Sequence, residues 1–313
     1  MLTPSTAQQV ADAYGLSGPA TLTGPVARGQ LGQVWRLETP EGQHAVKEWF
    51  ASPDLDEVAK DARLVDAARG EGVLTPAVRH TPSGAVATTV DGTAVRVFEW
   101  FDLRRSSRRL DPAAVGRTVA GLHRAGPPSG AGVESWFATG LGKERWRELH
   151  QRVVAAGAPF AGHLGALVDD LVAVEAVLEP HGSPIVCHRD LWADNVRSTA
   201  DGRVCVLDFE NLGPADPSQE LAMVLFEFGD DDPSRARLLH TAYREAGGPG
   251  RVTRRGHFTM LVAEQAHIAQ LACSRWVGAR SESHKERLAT WFFEVPDDPV
   301  TLARIDRILA AVT

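Results

Sequence analysis

One stretch of the chain places several chemically capable side chains at a telling spacing. His188, Arg189, Asp190 and Asn195 stand in the pattern H-R-D-x-x-x-x-N, and Asp208 follows thirteen residues after Asn195. Phosphoryl transfer needs a carboxylate that orients an attacking hydroxyl and accepts its proton, together with oxygen ligands that hold magnesium on the donor phosphates. Asp190 is the candidate for the first task. Asn195 and Asp208 offer the hard oxygen donors that Mg2+ prefers. Singly, such residues cap turns or end strands. Their joint spacing is what argues for a site.

The same chemistry calls for a cation on the donor phosphates and a loop that can approach them closely. Lys47 ends the run His44-Ala45-Val46-Lys47, in the manner of the V-A-I-K lysine that pairs phosphates. Upstream, Arg28-Gly29-Gln30-Leu31-Gly32 is a degenerate glycine loop, and Gly29 and Gly32 would let backbone N–H groups reach the phosphates. The lysine ammonium is expected to meet a carboxylate from the following helix. Glu57 and Asp61 both qualify, and counting back from Thr75-Pro76 favours Asp61.

The elements that must position these residues divide near residue 101. Before it, strand-like runs at residues 34–37, 44–49, 85–90 and 94–101 are separated by the turn signals Pro40-Glu41-Gly42, Ser83-Gly84 and Asp91-Gly92. One helix is expected at residues 54–69, where Leu55, Val58, Ala62 and Val65 recur at helical spacing. Beyond residue 111 the pattern is helical, with Asp111-Pro112 and Asp232-Pro233 as start signals. The exception is a hairpin, expected to join residues 185–187 to residues 204–208 through a turn at Ala200-Asp201-Gly202. The fold class expected is α+β, an antiparallel sheet with a helix followed by a mostly helical part.

A chain of 313 residues with 43% hydrophobic residues buries a full core. Its net charge of −7 and pI near 5.9 argue against nucleic acid as a partner, since phosphate neutralisation needs clustered Lys and Arg. No apolar run reaches membrane-spanning length, and the first residues lack a secretory pattern, so a cytoplasmic protein without membrane attachment is expected. Cys187, Cys205 and Cys273 suggest neither a disulfide framework nor a zinc site. Oligomeric state is not legible.

Taken in order, these residues resemble the aminoglycoside phosphotransferase family, which includes choline kinase-like and homoserine kinase-like small-molecule kinases. Further stretches carry the likeness: residues 70–76, Val115-Gly116-Arg117-Thr118-Val119-Ala120-Gly121-Leu122-His123, Gly213-Pro214-Ala215-Asp216-Pro217, and Glu220-Leu221-Ala222. The resemblance implies a bilobal protein-kinase-like fold, with a nucleotide-binding lobe at residues 1–100 and a catalytic, substrate-binding lobe at residues 101–313. It implies ATP or GTP as donor, Mg2+ as cofactor, and Phe98-Glu99-Trp100 as the hinge that meets the purine edge. Asp190 would be catalytic, supported by His188 and flanked by Arg189, where the family commonly has glycine. The implied acceptor is a hydroxylated small molecule, an antibiotic such as an aminoglycoside or another sugar- or nucleoside-containing compound. A metabolic kinase of choline, homoserine, a ketoamine or a sugar is the alternative, and a nucleotide-binding pseudoenzyme a further one. Protein substrates are disfavoured, because Glu210 replaces the glycine after Asp-Phe and Asp216-Pro217 follow with no long activation segment.

Three features bear on the acceptor. Residues 208–232 hold eight acids and no Lys or Arg, which would attract a cation. The helix expected at residues 260–277 carries Glu264, Gln265, His267, Gln270, Ser274 and Arg275, a set that reads either as a pocket wall or as a wet helix face. Arg104, Arg105, Arg108 and Arg109 read as a solvated linker or as a contact for an anionic acceptor.

Overall fold

A computed structural model describes residues 1–29, 31–229, 232–281, 285–286 and 299–313. The elements run in the order α1 (Ala7–Ala13), β1 (Thr21–Arg28), β2 (Gly32–Thr39), β3 (Gly42–Trp49), α2 (Leu55–Gly70), β4 (Thr88–Val90), β5 (Thr93–Glu99), α3 (Pro112–Ala125), α4 (Ser135–Ala138), α5 (Gly142–Ala155), α6 (Ala161–Val174), β6 (Ile185–Cys187), β7 (Val196–Ser198), β8 (Val204–Val206), β9 (Gly213–Ala215), α7 (Pro217–Gly229), α8 (Pro233–Glu245), α9 (Thr259–Gly278) and α10 (Leu302–Val312). The chain forms two compact units. The first holds residues 1–107, 124–126 and 194–212, and the second holds the rest. The expected α+β class, a sheet with a helix followed by a helical part, is what the chain adopts.

In the first unit five antiparallel strands lie in the order β1-β2-β3-β5-β4. Alternation along β3 and β5 decides which residues reach which face. Val46, Val95 and Val97 turn to one face, where they join Leu22, Leu37, Val10, Ala11 and Tyr14 in a core that packs α1 on the sheet. Ala45, Lys47, Arg96 and Phe98 therefore share the opposite face. Asp91 and Gly92 both take positive φ, as a two-residue hairpin turn requires. Asp54 caps α2 by accepting from the amides of Asp56 and Glu57. The fully buried Glu48 accepts from the Leu2 amide, Gln33 Nε2 and Trp35 Nε1, each at 2.8 Å, tying the N-terminal segment to β2 and β3.

Two strand assignments differ from the sequence expectation. β1 was not anticipated, because Gly24-Pro25 reads as a turn; in the sheet these residues sit where the register shifts between Thr23 and Ala27. Ile185–Cys187 does not pair with residues 204–208. It pairs with Gly213–Ala215, while Val204–Val206 pairs with Val196–Ser198. A three-residue strand containing Pro214 carries too little pattern to be recognised.

The second unit buries Trp146, Leu149 and Val153 of α5, Leu164 and Val168 of α6, and Ala269, Ala272, Cys273 and Trp276 of α9 in one cluster. Glu175 stabilises the start of α5, accepting from the amides of Leu141 and Gly142 and from Trp146 Nε1 at 2.8–2.9 Å. Among the described residues no helix is long and apolar enough to cross a membrane.

Candidate active site

The first unit contains a cavity of about 470 Å³. Its lining includes Lys47, Phe98, Glu99, Trp100, Asn195 and Asp208, six of the residues singled out from sequence. Alternation places Lys47 there from β3. The β7–β8 hairpin delivers the two metal-ligand candidates: Asn195 directly precedes β7, Asp208 follows β8, and the Leu207 amide donates to the Asn195 carbonyl at 2.8 Å. Asp208 takes a positive φ of 57°, a conformation that aspartate tolerates better than most residues. Val26, Val34, Val65 and Leu207 add apolar walls, a mixture of apolar lining and few polar groups typical of small-molecule sites.

Past Glu99 the β3–β5 ladder ends, and Trp100 and Phe101 continue along the cavity wall. The Glu99 carboxylate is 3.3 Å from both Arg69 Nη1 and the Ala77 amide, which fixes this segment against the chain that follows α2. Gly32 is required by packing, since a Cβ there would stand 2.2 Å from the Glu48 carbonyl oxygen. The Gly29 amide donates to the Gly32 carbonyl at 2.9 Å, closing the β1–β2 connection. Neither glycine lines the cavity, and Gln30 lies outside the described residues.

The lysine's partner differs from the sequence expectation. Lys47 Nζ lies 2.6 Å from Glu210 and 3.2 Å from Asp208. Glu210 is also held by Trp49 Nε1 at 2.7 Å. Asp61 instead faces Arg96 at 3.9 Å, and Glu57 pairs with Lys60 on the helix surface. The reason is register. Arg96 stands directly opposite Lys47 in the β3–β5 pair, on the face covered by α2, and meets the helix carboxylate, also donating to the Val58 carbonyl at 3.1 Å. Burial pushes the Asp61 carboxyl up to about 7 despite the guanidinium beside it. Glu210 and Arg96 were therefore missed as site residues. In sequence Glu210 shows as a departure from glycine and as one of the eight acids of residues 208–232, and Arg96 carries no signal.

Asn195 and Asp208 fit a magnesium ion by donor chemistry. Both present oxygen to one cavity, and the loop holds two carboxylates, Asp208 and Glu210, against one lysine.

The second unit carries His188, Arg189 and Asp190 on the segment after β6. Buried carboxylates of α7 and α9 hold this segment. Glu220, fully buried, accepts from the Arg189 amide with one oxygen and lies 2.7 Å from His123 Nε2 with the other. Burial favours its neutral form, but hydrogen bonds from His123 and the Arg189 amide outweigh that, and its carboxyl sits below the usual range. His123 Nδ1 reaches the Tyr243 hydroxyl at 2.8 Å, which accepts from the Gly250 amide at 2.7 Å. Glu227 accepts from the Ala193 amide at 3.0 Å and pairs with Arg108. Glu264 accepts from Trp192 Nε1 at 3.4 Å.

His188 is buried and Asp190 half-buried. Arg189 has a φ of 62°, and its buried guanidinium lies 4.6 Å from the Phe137 ring centroid and 2.7 Å from Glu134. A Cβ on Gly213 would meet that guanidinium at 2.3 Å. Arg189 is thus a packing and pairing residue that joins the segment to α4. Of the acidic stretch, Asp216 and Asp232 cap α7 and α8, and Asp230 and Asp231 lie outside the described residues. Arg104 donates to the Ala200 carbonyl at 2.7 Å, so this part of the arginine cluster fastens the β7–β8 turn. On α9, His267 stacks on Trp136 with centroids 5.1 Å apart, and Gln265 accepts from the Val300 amide.

Comparison with known proteins agrees with this geometry. Residues 23–257 match the model of the phosphotransferase enzyme family. No curated protein matches the chain. Among solved structures, an aminoglycoside phosphotransferase from Alicyclobacillus acidocaldarius is 19% identical with a TM-score of 0.63, covering 99% of this chain and 95% of its own. A spectinomycin phosphotransferase solved with ADP and spectinomycin is 13% identical with a TM-score of 0.69, covering 99% and 98%. A microcompartment-associated aminopropanol kinase is 17% identical with a TM-score of 0.54, covering 92% and 94%. At these identities the likeness shows a common kinase-like fold.

Proposed function

Since the chain belongs to the phosphotransferase enzyme family, whose members are small-molecule kinases, we propose that it moves the γ-phosphoryl of ATP or GTP to a hydroxyl of an antibiotic, an aminoglycoside or another sugar- or nucleoside-containing compound. The observation that carries the donor half of this reading is the cavity that gathers Lys47, Asn195, Asp208 and the segment 98–100. Lys47 neutralises donor phosphate charge, and the backbone beyond Glu99 meets the purine. Asn195 and Asp208 hold magnesium, which when bound offsets the phosphate charge. Asp190, five residues before Asn195 in the chain, orients the acceptor hydroxyl and accepts its proton. Catalysis of this kind rests on positioning and electrostatics rather than on a covalent intermediate. Arg189 supports the Asp190 segment without touching substrate.

The test is nucleoside-diphosphate release from ATP and GTP across hydroxylated antibiotics and metabolic alcohols, comparing wild type with Asp190→Ala. Antibiotic-stimulated release that the substitution abolishes supports the reading. Release stimulated by metabolic amino alcohols or sugars alone would replace it with a metabolic kinase. Nucleotide binding with no acceptor-dependent release would favour a pseudoenzyme.

A further inference from the structure

Three cations line the cavity of the first unit: Lys47, Arg96 and Arg197. Lys47 is paired with Glu210 and Asp208, and Arg96 faces Asp61 on the side covered by α2. Arg197 has no carboxylate partner among the described residues. Its Nε and Nη2 both donate to one acceptor, the Arg104 carbonyl, with Nε at 3.0 Å. A guanidinium carries five N–H donors in a rigid fork, so this contact fixes its plane and leaves the Nη1 edge unengaged. The side chain is half-buried in the wall of a cavity whose other walls are largely apolar. Cavities of this kind recognise a ligand through a few such placed polar groups.

Register decides which part of the ligand Arg197 can meet. In the β7–β8 hairpin Val196 stands opposite Val206, both fully buried, so Arg197, which pairs with Cys205, turns to the other face. Asn195 shares that face two residues earlier, as does Leu207 opposite it, and both line the cavity with Arg197. Two residues of strand carry Arg197 about 7 Å beyond Asn195. The displacement runs towards residues 103–104, where Leu103 bridges Thr199 and the Arg104 amide donates to the Ser198 carbonyl at 2.8 Å. Residues 103–104 continue the chain of residues 98–100, the segment assigned to the purine. The open edge is thus offered to the nucleoside, whereas Lys47 serves the phosphates.

We propose that Arg197 sets the donor-base selectivity of this chain, its open edge pairing with the carbonyl O6 and ring N7 of guanine or hypoxanthine, so that GTP is preferred over ATP. The inference rests on the phosphotransferase reading and decides between its two donors. O6 and N7 are neighbouring acceptors that a guanidinium meets with two parallel N–H bonds. Adenine carries an amino donor in place of O6, so one arm of the fork faces another donor and is left unpaired in the cavity. An apolar side chain at this position would touch both purines alike, whereas a bidentate arginine separates them by about tenfold. The ribose hydroxyls are the competing acceptors, but they are common to both nucleotides, and pairing there gives no base preference.

The experiment is calorimetric titration of the full chain, with Mg2+, by GDP, IDP, ADP and 2′-deoxy-GDP. Wild type, Arg197→Leu and Arg197→Lys are compared, with a thermal melt of each to show that it is folded. IDP carries O6 without the amino group of guanine and so isolates the carbonyl. Expected in wild type are GDP and IDP each binding at least fivefold more tightly than ADP, and 2′-deoxy-GDP within twofold of GDP. In Arg197→Leu the three ribonucleotides fall within twofold of one another. Arg197→Lys, a point charge without the fork, keeps less than half of the wild-type preference. A wild-type preference for IDP over ADP below fivefold overturns the proposal without reference to any variant. So does a preference that survives in Arg197→Leu. Loss of binding by 2′-deoxy-GDP, with equal weakening of GDP and ADP in Arg197→Leu, would put the fork on the ribose and overturn the base assignment. Each of these results leaves the phosphotransferase reading standing, whereas binding of none of the four nucleotides would defeat that reading itself.

Discussion

Removing the Glu220 carboxylate tests whether buried acids on the helices hold the segment after β6, on which Asp190 is proposed to act. In wild type this side chain accepts from the Arg189 amide and lies 2.7 Å from His123 Nε2, with no solvent access. Glu220→Ala strands a buried amide and a buried imidazole nitrogen. Each orphaned group costs about 1–3 kcal/mol, and disruption of a buried charged network falls at about 3–5 kcal/mol in total. For a cooperative unit of this size that is a fall in Tm of about 10 °C. Glu220→Gln keeps the shape and one acceptor, so its loss is about 1–2 kcal/mol. Since Arg189 sits at positive φ next to Asp190, loss of its amide partner also releases the segment from its set conformation. A displacement of about 1 Å at a reacting group costs on the order of a hundredfold in rate. Thermal melts and steady-state kinetics should show kcat falling at least tenfold in Glu220→Ala while nucleotide affinity stays within twofold. Because the Glu220 carboxyl lies below its usual range, its contribution is present above about pH 4.5 and is lost as pH falls through the lowered folded value. Glu220→Ala with an unchanged melt and an unchanged kcat would refute the argument.

The other expectations concern charges and packing near the two segments. Glu210→Gln weakens the ion pair that Lys47 must leave to meet phosphate, so metal-free ADP should bind about fivefold more tightly by calorimetry, for a change of about 1 kcal/mol; weaker binding would contradict the Lys47–Glu210 pairing. Asp61→Asn should leave ADP affinity within twofold, because Asp61 serves Arg96. In denaturant melts the stability of wild type relative to this variant should decline as pH rises from about 4 through 7, the direction required when a folded carboxyl is raised. Gly213→Ala should lower Tm and kcat together, since its Cβ must displace the buried Arg189 guanidinium; unaltered melting would show that the guanidinium moves freely.

The local spacing H-R-D-x-x-x-x-N could be read directly because the chemistry demands those residue types a few positions apart. The strands carrying Lys47 and residues 98–100 were also legible, their alternation being the one signal that survives without tertiary knowledge. The partner of Lys47 was not. It depends on which cation stands across from the lysine in the β3–β5 register, and Arg96 claims Asp61 only once that register is formed. β1 was hidden by Gly24-Pro25, whose composition signals a turn although the residues interrupt a strand. The β6–β9 pair was hidden by length and by Pro214.

The acidic stretch at residues 208–232 shows why charge counts mislead where burial is unknown. As a string it reads as a negative surface that draws a cationic acceptor. In the fold Asp208 and Glu210 neutralise Lys47, Glu220 and Glu227 accept from the Arg189 and Ala193 amides, and Asp216 and Asp232 cap helices. Six of the eight acids are thus committed to internal partners, and the remaining two lie outside the described residues. Diffuse attraction from this stretch is therefore a poor basis for acceptor choice. Burial and pairing, not the number of acids, decide what charge this stretch offers to a ligand.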